Sequence, residues 1–186
     1  MKFRPLFAFA SLLICTSACA DDPVNLVPNG NFATSLDGWT CDGSCSWIDQ
    51  SSTSDGTGAI DIPPLGSSMI TSSCFSIQPQ TEYDVSFDAW ANIGLAGGEF
   101  DLFCHAYSGT DCEQPTGNFS YVSLYYFGKG SWDSAQGQHD TQANEFSAMC
   151  EVHFSANGAE TRMDNFVFTF NHQLDGIYAD GFEGPP

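Results

Sequence analysis

Positive charge is almost absent from the sequence. Four residues are Lys or Arg, against 23 Asp and Glu, and the formal net charge at pH 7 is -19. Proteins bind nucleic acids largely by neutralising phosphates with cationic side chains, so a DNA or RNA partner is excluded. Anionic membrane surfaces are disfavoured for the same reason. Neutral sugars and divalent cations are the ligand classes that this charge tolerates.

A long hydrophobic run is also missing, because no stretch approaches the roughly 20 apolar residues of a transmembrane helix. The short apolar run Leu6–Cys15 follows Lys2 and Arg4 and precedes Ala18-Cys19-Ala20. A charged start, a short apolar segment and an A-x-A site are typical of a secretory signal peptide. We therefore predict a signal peptide over residues 1–20 and bacterial export, to the medium, the periplasm or the cell surface.

The same segment leaves a lipid anchor open as an alternative. Ser17-Ala18-Cys19 resembles the end of a bacterial lipobox, although Thr16 stands where that pattern has Leu or a similar residue. Cys19 would then be the lipidated N-terminus. Cleavage after Ala20 and cleavage before a lipidated Cys19 both remove Lys2 and Arg4, which are two of the four basic residues. The remaining chain has a net charge of -21, because Lys129 and Arg162 oppose all 23 acids.

Signatures of catalysis are missing as well. The sequence contains no G-x-S-x-G elbow, no H-E-x-x-H motif and no P-loop. Acidic residues are too numerous for any one pair to indicate glycoside hydrolysis. The four scattered histidines are His105, His139, His153 and His172. A non-catalytic protein is therefore favoured, and a small hydrolase acting on glycosyl bonds is kept as an alternative.

Paired C-x-x-C units are absent, which argues against a zinc site. Six Cys remain beyond the leader, and an even number in an exported chain predicts three disulfides. The pairing favoured by spacing is Cys41–Cys45, Cys104–Cys112 and Cys74–Cys150. The first two pairs close short loops, and the third joins the two cysteines that remain.

A helical period is absent from every window, whereas alternation of apolar and polar residues recurs. For example, Tyr83, Val85 and Phe87 alternate with Asp84 and Ser86. The β-prone segments are Tyr83–Trp90, Phe100–Tyr107, Tyr121–Phe127, Phe146–Phe154 and Phe166–Phe170. Short strands with one apolar face must pack against a second sheet, so we predict an all-β sandwich.

The predicted sandwich domain covers residues 21–172. The acidic segment 173–186, which ends in Gly-Pro-Pro, is predicted to be a flexible tail. Two polar stretches inside the domain, Asp49–Gly58 and Asp133–Asn144, are predicted to be loops that border a ligand groove.

Three segments carry motifs that are shared with a known class of domain. The chain opens with Asn25-Leu26-Val27-Pro28-Asn29-Gly30-Asn31-Phe32 and then Asp37-Gly38-Trp39; the other two segments are Tyr83–Trp90 and Arg162–Phe168. Together they resemble the opening, central and closing strands of carbohydrate-binding modules of the CenC type, over about residues 25–170. The resemblance implies a galactose-binding-like jelly-roll β-sandwich. In such a fold Phe32 and Trp39 are interpreted as core residues.

The resemblance also raises the question of a structural calcium site. In that class, the acidic residue after the opening Phe and the Asp of the closing strand often hold a structural calcium ion. Here Ala33 stands at the first position, which removes one hard oxygen ligand, whereas Asp164 remains at the second. Structural calcium bound by Asp164 is left open, and the alternative is that Asp164 serves as a turn or cap carboxylate.

Sugar sites combine exposed aromatic rings with a few polar groups. Trp90 lies on the polar side of its strand, in phase with Asp88. Phe103 and Tyr107, in the segment Phe100–Tyr107, are likewise out of phase with the core. Trp132 lies in a polar segment. We predict Trp90, Asp88, Tyr107 and Trp132 as ligand-binding residues, with burial as satellite core residues as the alternative.

The sequence thus predicts an exported, non-catalytic module that binds a neutral polysaccharide or other glycan through ring stacking and polar contacts. The leading alternative is a structural or adhesive surface protein with the same fold and no sugar site.

Overall fold

The computed structural model describes residues 24–53, 57–64, 68–92, 98–126, 130–154 and 160–174. The predicted signal peptide and the acidic tail from residue 175 onward lie outside these residues. The described ranges contain no helix. They therefore contain no helix that is long and apolar enough to cross a bilayer. The strands are β1 (Trp39–Cys41), β2 (Ser46–Ile48), β3 (Ala59–Ile62), β4 (Met69–Ser72), β5 (Phe75–Ser76), β6 (Thr81–Ala91), β7 (Gly98–Tyr107), β8 (Pro115–Tyr126), β9 (Trp132–Asp140), β10 (Ser147–Phe154) and β11 (Thr161–Gln173).

The strands form two antiparallel sheets. Sheet I has the order β2-β3-β11-β6-β9, and sheet II has the order β1-β4-β10-β7-β8, with β5 also pairing with β10. Each long strand buries alternate side chains, as β6 does with Tyr83, Val85, Phe87 and Ala89. The two buried faces meet in one core, which confirms the predicted all-β sandwich.

The opening motif closes one end of this core. Phe32 and Trp39 are buried and pack against Phe166 of β11, with ring centroids 5.8 and 4.5 Å from that ring. Their interpretation as core residues is therefore confirmed. Asn29 adopts a positive φ of 50°, and a Cβ on Gly30 would collide with the Phe166 carbonyl oxygen, so this turn requires a small residue there.

Asn25 connects the start of the motif to the last strand. Its Nδ2 donates to the Phe166 carbonyl (2.6 Å), and its Oδ1 accepts the Phe168 N–H (2.9 Å). The Leu26 N–H donates to the Phe168 carbonyl (2.9 Å). These bonds satisfy backbone groups where β11 changes its pairing, because a bulge lies between Asp164 and Val167.

All six described cysteines form disulfides, but two of the three predicted pairs are wrong. Cys41 pairs with Cys45, as predicted. The other bridges are Cys74–Cys112 and Cys104–Cys150. Cys104 on β7 lies directly opposite Cys150 on β10, with Cα atoms 4.0 Å apart. Loop spacing could not show this pairing because it follows from the register of two strands that are distant in sequence.

The polar stretch Asp133–Asn144 was expected to be a loop, and this prediction is wrong for most of it. Residues Trp132–Asp140 form β9, which pairs with β6 along its whole length. The inward positions of β9 are Ala135, Gly137 and His139, and a Cβ on Gly137 would press on Val122 of sheet II. Small inward residues let β9 approach the opposite sheet without an apolar stripe.

His139 is the buried titratable group on this strand. The side chain is 2 % exposed, packs on Phe168 with ring centroids 5.6 Å apart, and leaves Nε2 without a hydrogen-bond partner among the described residues. Burial lowers the pKa of His139 from its ordinary value of 6.5, against smaller opposing effects of Glu145 and Asp140. His139 is therefore neutral in the folded protein near neutral pH.

The disulfide pairing can be checked by peptide mapping. Tyr107 lies between Cys104 and Cys112, so cleavage after aromatic residues under non-reducing conditions separates these two cysteines. We expect mass spectrometry to find the Cys104 peptide joined to the Cys150 peptide, and the Cys74 peptide joined to the Cys112 peptide. A Cys104–Cys112 species as the main product would contradict the strand register.

His139 should make stability depend on pH. As the pH falls through about 6.5, the unfolded chain takes up a proton that the buried imidazole does not, so stability is lost on acidification. We expect the loss in melting temperature between about pH 7.5 and about pH 5.5 to be smaller in His139→Phe than in the wild type. An equal loss in both proteins would show that His139 does not titrate as its burial requires.

Candidate functional site

An exposed row of aromatic rings crosses the outer side of sheet II. We call it the aromatic face and define it by Phe103 of β7 and Phe119, Tyr121 and Tyr125 of β8. The three β8 side chains are 51, 52 and 70 % exposed, whereas Val122, between them in the strand, is buried. Soluble proteins seldom leave several large rings side by side in water unless they bind something there.

Strand register brings these rings into contact. Phe103 lies opposite Tyr121, and His105 lies opposite Phe119. The Phe103 ring centroid is 5.1 Å from Tyr121, 5.9 Å from Phe119 and 6.2 Å from His105. Along β8, Phe119 and Tyr125 are six residues apart, which corresponds to about 20 Å of extended strand. The aromatic face is therefore long enough for several sugar units in a row.

Carboxylates border the rings along β7. Tyr121 Oη donates to Asp101 Oδ1 (2.7 Å), and Ser123 Oγ donates to Glu99 Oε1 (2.9 Å). The hydrogen bond from Tyr125 to Glu99 and the charge of that carboxylate raise the pKa of Tyr125. Ser123 lowers the pKa of Tyr121, but Asp101 and Glu99 act in the opposite direction and the net shift is upward. Both phenols thus stay protonated as hydrogen-bond donors.

A third carboxylate lies on the other side of Phe103. Glu151 of β10 is opposite Phe103, and its Oε1 is 3.2 Å from His105 Nε2 and 3.0 Å from His153 Nε2. The His153 ring also meets the Phe103 ring edge-on, at 5.3 Å between centroids. Rings with acceptors on both sides give a surface that can stack on the C–H face of a sugar and accept its hydroxyl protons.

Three of the four residues predicted to bind sugar lie together on sheet I. Trp90 of β6 is opposite Trp132, the first residue of β9, and Asp88 is opposite Ser134 and accepts a hydrogen bond from it. Both indoles are half-buried. We call this group, together with Arg162 of β11, the Trp90 corner.

Arg162 covers part of the Trp90 corner. Its guanidinium carbon lies 4.3 Å from the centroid of the Trp90 ring, a cation–π contact that occupies one side of the indole. The guanidinium also forms ion pairs with Asp61 (3.2 Å) and Glu160 (2.6 Å) and bonds to Gln50. A sugar ring could stack on that side only after displacing Arg162.

Tyr107, the fourth predicted residue, is separated from the other three. It ends β7 in sheet II and is 8 % exposed. The pairing of β7 with β8 is irregular between His105 and Tyr107, so Ala106 and Tyr107 are both buried and the alternation breaks. Burial, together with the charge of Glu151, raises the pKa of the Tyr107 phenol.

Asp164, the predicted calcium ligand, is 1 % exposed beside the β11 bulge. Its Oδ2 accepts the Ser52 N–H (2.7 Å) and the Ser51 hydroxyl (2.9 Å), and its Oδ1 accepts the Asn165 N–H (2.6 Å). Burial raises the pKa of Asp164, and these hydrogen bonds partly offset the rise.

Ser52 connects Asp164 to Asp88. Ser52 Oγ lies 2.6 Å from Asp88 Oδ2 and 2.9 Å from Asp164 Oδ2, so two carboxylates share the single proton of one hydroxyl. Backbone N–H donors on both Asp164 oxygens occupy positions that a cation would need. Within the described ranges, no group of three or more His, Cys, Asp or Glu could hold a metal ion. Structural calcium at Asp164 therefore stays a prediction, and the hydrogen bonds of this carboxylate match the alternative of a buried turn carboxylate.

Sequence reasoning missed the β8 part of the aromatic face. It noted that Phe103 is out of phase with the core, but it treated Tyr121–Phe127 as a uniformly β-prone run. The signal was the spacing of Phe119, Tyr121 and Tyr125, which occupy alternate positions and so share one side of the strand.

Comparison with solved structures places the fold among known sandwiches. A CBM22-1–GH10 xylanase 10B from Clostridium thermocellum, complexed with xylohexaose, matches with a TM-score of 0.59 and 15% identity over 81% of this chain and 29% of that one. Tailspike protein 4 of bacteriophage CBA120 matches with a TM-score of 0.59 and 10% identity over 79% and 21%. TmCBM61 in complex with β-1,4-galactotriose matches with a TM-score of 0.58 and 17% identity over 80% and 99%.

The chain thus spans less than a third of the xylanase and tailspike chains, but nearly all of TmCBM61. Modules of families 16, 22 and 4 also match over nearly their whole length. No family model and no curated protein sequence matches the chain.

Asp164 should hold the segment that contains Ser51 and Ser52 against sheet I. Asp164→Ala leaves the Ser52 and Asn165 N–H groups without their acceptor, so we expect unfolding free energy to fall by about 2–4 kcal/mol. Asp84→Ala, an exposed Asp on the same sheet, is the control and should cost less than about 1 kcal/mol. Equal losses in chemical denaturation would contradict the buried role of Asp164.

At these identities the matches show fold alone: the described chain is a β-sandwich with the architecture of carbohydrate-binding modules.

Proposed function

We propose that this protein binds glycans without cleaving them, and that the aromatic face is the binding surface. The observation that carries the proposal is the exposed row of Phe119, Tyr121 and Tyr125 around Phe103. The fold shared with carbohydrate-binding modules supports the same function. Among them, TmCBM61 has a bound galactotriose, and the CBM22-2 domain of Paenibacillus barcinonensis binds xylan.

The rings supply the main attraction. A pyranose presents axial C–H groups on one side, and burying them against a ring removes apolar surface of both partners from water. Tyr125, at 70 % exposure, has the most surface to lose on binding. Phe119 and Tyr121 already contact Phe103, so these rings need little ordering when a ligand binds.

The carboxylates supply orientation. Asp101 and Glu99 lie beside the rings and can accept hydroxyl protons at the edge of a stacked sugar. The surface is open and wet, so part of this recognition passes through water and a modest affinity is expected.

We infer export as the cellular setting. Three disulfides are typical of proteins that mature in an oxidising compartment. The leader predicted over residues 1–20 is consistent with this setting, and a lipid anchor at Cys19 remains the alternative processing route.

The Trp90 corner is a second candidate surface for the same function. Trp132 lies beside Trp90 and is half-buried, so part of its ring is open to a ligand. The aromatic face is preferred because its rings are more exposed and no cation lies over them among the described residues.

Glycan binding can be tested by removing one exposed ring from the aromatic face and, as a control, one exposed ring from sheet I. On a panel of diverse polysaccharides, we expect Tyr121→Ala to weaken binding of the best ligand about tenfold, with an unchanged melting temperature. Phe170→Ala removes a 46 % exposed ring from sheet I and is the matched control, which should bind as the wild type does.

Trp90→Ala serves as the third variant. If it loses binding while Tyr121→Ala does not, the Trp90 corner is the site and the aromatic face is not. If the wild type binds no glycan on the panel, the proposed function is wrong and a structural or adhesive role takes its place.

A further inference from the structure

The charge of the aromatic face has a single sign. Glu99, Asp101 and Glu151 border its rings, and no Lys or Arg lies on it among the described residues. Arg162 is the only Lys or Arg in the described ranges, and it lies on sheet I over Trp90. Any ligand on the aromatic face therefore meets the charge of three carboxylates, and no Lys or Arg of the described residues lies beside them to offset it.

Asp101 keeps capacity for a further hydrogen-bond donor. A carboxylate has about four acceptor positions. Asp101 Oδ1 receives the Tyr121 hydroxyl, and a second donor can approach the same group without breaking that bond. Asp101 and Glu99 are two residues apart on β7, which spaces their side chains by about 7 Å along the strand. Carboxylates that recur along a row of rings suit a polymer that carries a cation at repeated positions.

Aromatic rings favour the same kind of cation. The face of a Tyr or Phe ring attracts an ammonium group, and an adjacent carboxylate adds a charge-assisted hydrogen bond. At Phe103, the ring lies between Glu151 on one side and Tyr121 on the other. A sugar that carries an amine can therefore stack its C–H face on a ring and direct its ammonium group to a carboxylate beside it.

We propose that the preferred ligand of the aromatic face is a polysaccharide with free amino groups, that is, a polymer of deacetylated amino sugars. This inference rests on the proposed function of the aromatic face. Glycans that carry carboxylate or sulfate groups are repelled by the same three acids. N-acetylated amino sugars keep the stacking surface but lose the positive charge, and so they bind more weakly.

Two histidines lie beside the carboxylates that border the aromatic face. His105 and His153 both lie within 3.2 Å of Glu151 Oε1, and His153 is also opposite Asp101 in the strand register. Asp101 differs from Glu151 because it forms no ion pair with a histidine in the described part of the chain, so it is the better position for a test.

The test compares short oligosaccharides of equal length, glucosamine against N-acetylglucosamine, by calorimetry at a slightly acidic pH. We expect the wild type to bind the free-amine oligomer at least tenfold more tightly. Asp101→Asn keeps an acceptor for the Tyr121 hydroxyl but removes the charge. It should weaken binding of the free-amine oligomer much more than binding of the N-acetylated oligomer, so that the preference falls to threefold or less.

A protein of this net charge also attracts polycations without a specific site, so the control variant matches the charge change. Asp84→Asn on sheet I alters the net charge equally and should leave the preference intact. An equal effect of both substitutions overturns the inference and shows long-range attraction only. Equal affinity for the two oligomers also overturns it but leaves the proposed function standing. If neither oligomer nor any polysaccharide of the panel binds, the proposed function fails as well.

Discussion

The register of β7 between β10 and β8 determines both the core and the surface of sheet II. Side chains alternate along a strand, so a shift of one residue would exchange the two sides. In the register observed, Cys104 faces inward and meets Cys150, whereas Phe103, Asp101 and His105 face outward. The Cys104–Cys150 bridge closes a 46-residue separation and joins the two strands at one point of this register. The same bond that stabilises the core therefore also keeps Phe103 opposite Glu151 on the outer side of sheet II.

The long strands were predictable because each has one apolar side. β6, β10 and β11 show the two-residue period plainly in their Phe, Val and Tyr residues, and the opening motif indicated a core role for Phe32 and Trp39. β9 was not predictable in this way, because its inward residues Ala135, Gly137 and His139 form no hydrophobic stripe. The pairing of Cys104 with Cys150 depends on which strands become neighbours, and that information is not local in the sequence. The aromatic face was missed for the opposite reason, since in β8 both sides carry apolar residues and the outward set was not separated from the inward one.

The rings of the two candidate surfaces differ in the contacts that they make within the protein. On sheet I, Trp90 already has a cationic partner, and Arg162 in turn has two carboxylates and an amide. A residue on the polar side of a strand is thus not free for a ligand merely because it is aromatic. On sheet II, Phe103 contacts Phe119, Tyr121 and two histidine rings, and much of Tyr121 and Tyr125 remains in water. The difference in exposure, more than the type of ring, separates a structural contact from a surface that can accept a sugar.

Exposed rings on β8 raise a problem that the acidic residues address. β8 lies at the end of sheet II, and a long outer strand with exposed aromatic residues is prone to pair with a second copy of the chain. The carboxylates of Glu99, Asp101 and Glu151 place negative charge beside these rings, and the chain as a whole has a net charge of -19. Two copies approaching through this face would bring like charges together, which opposes self-association. A neutral carbohydrate is not repelled by these carboxylates, and a carbohydrate that carries an ammonium group is attracted to them. The negative charge that opposes self-association through these rings therefore also favours a cationic ligand over an anionic one.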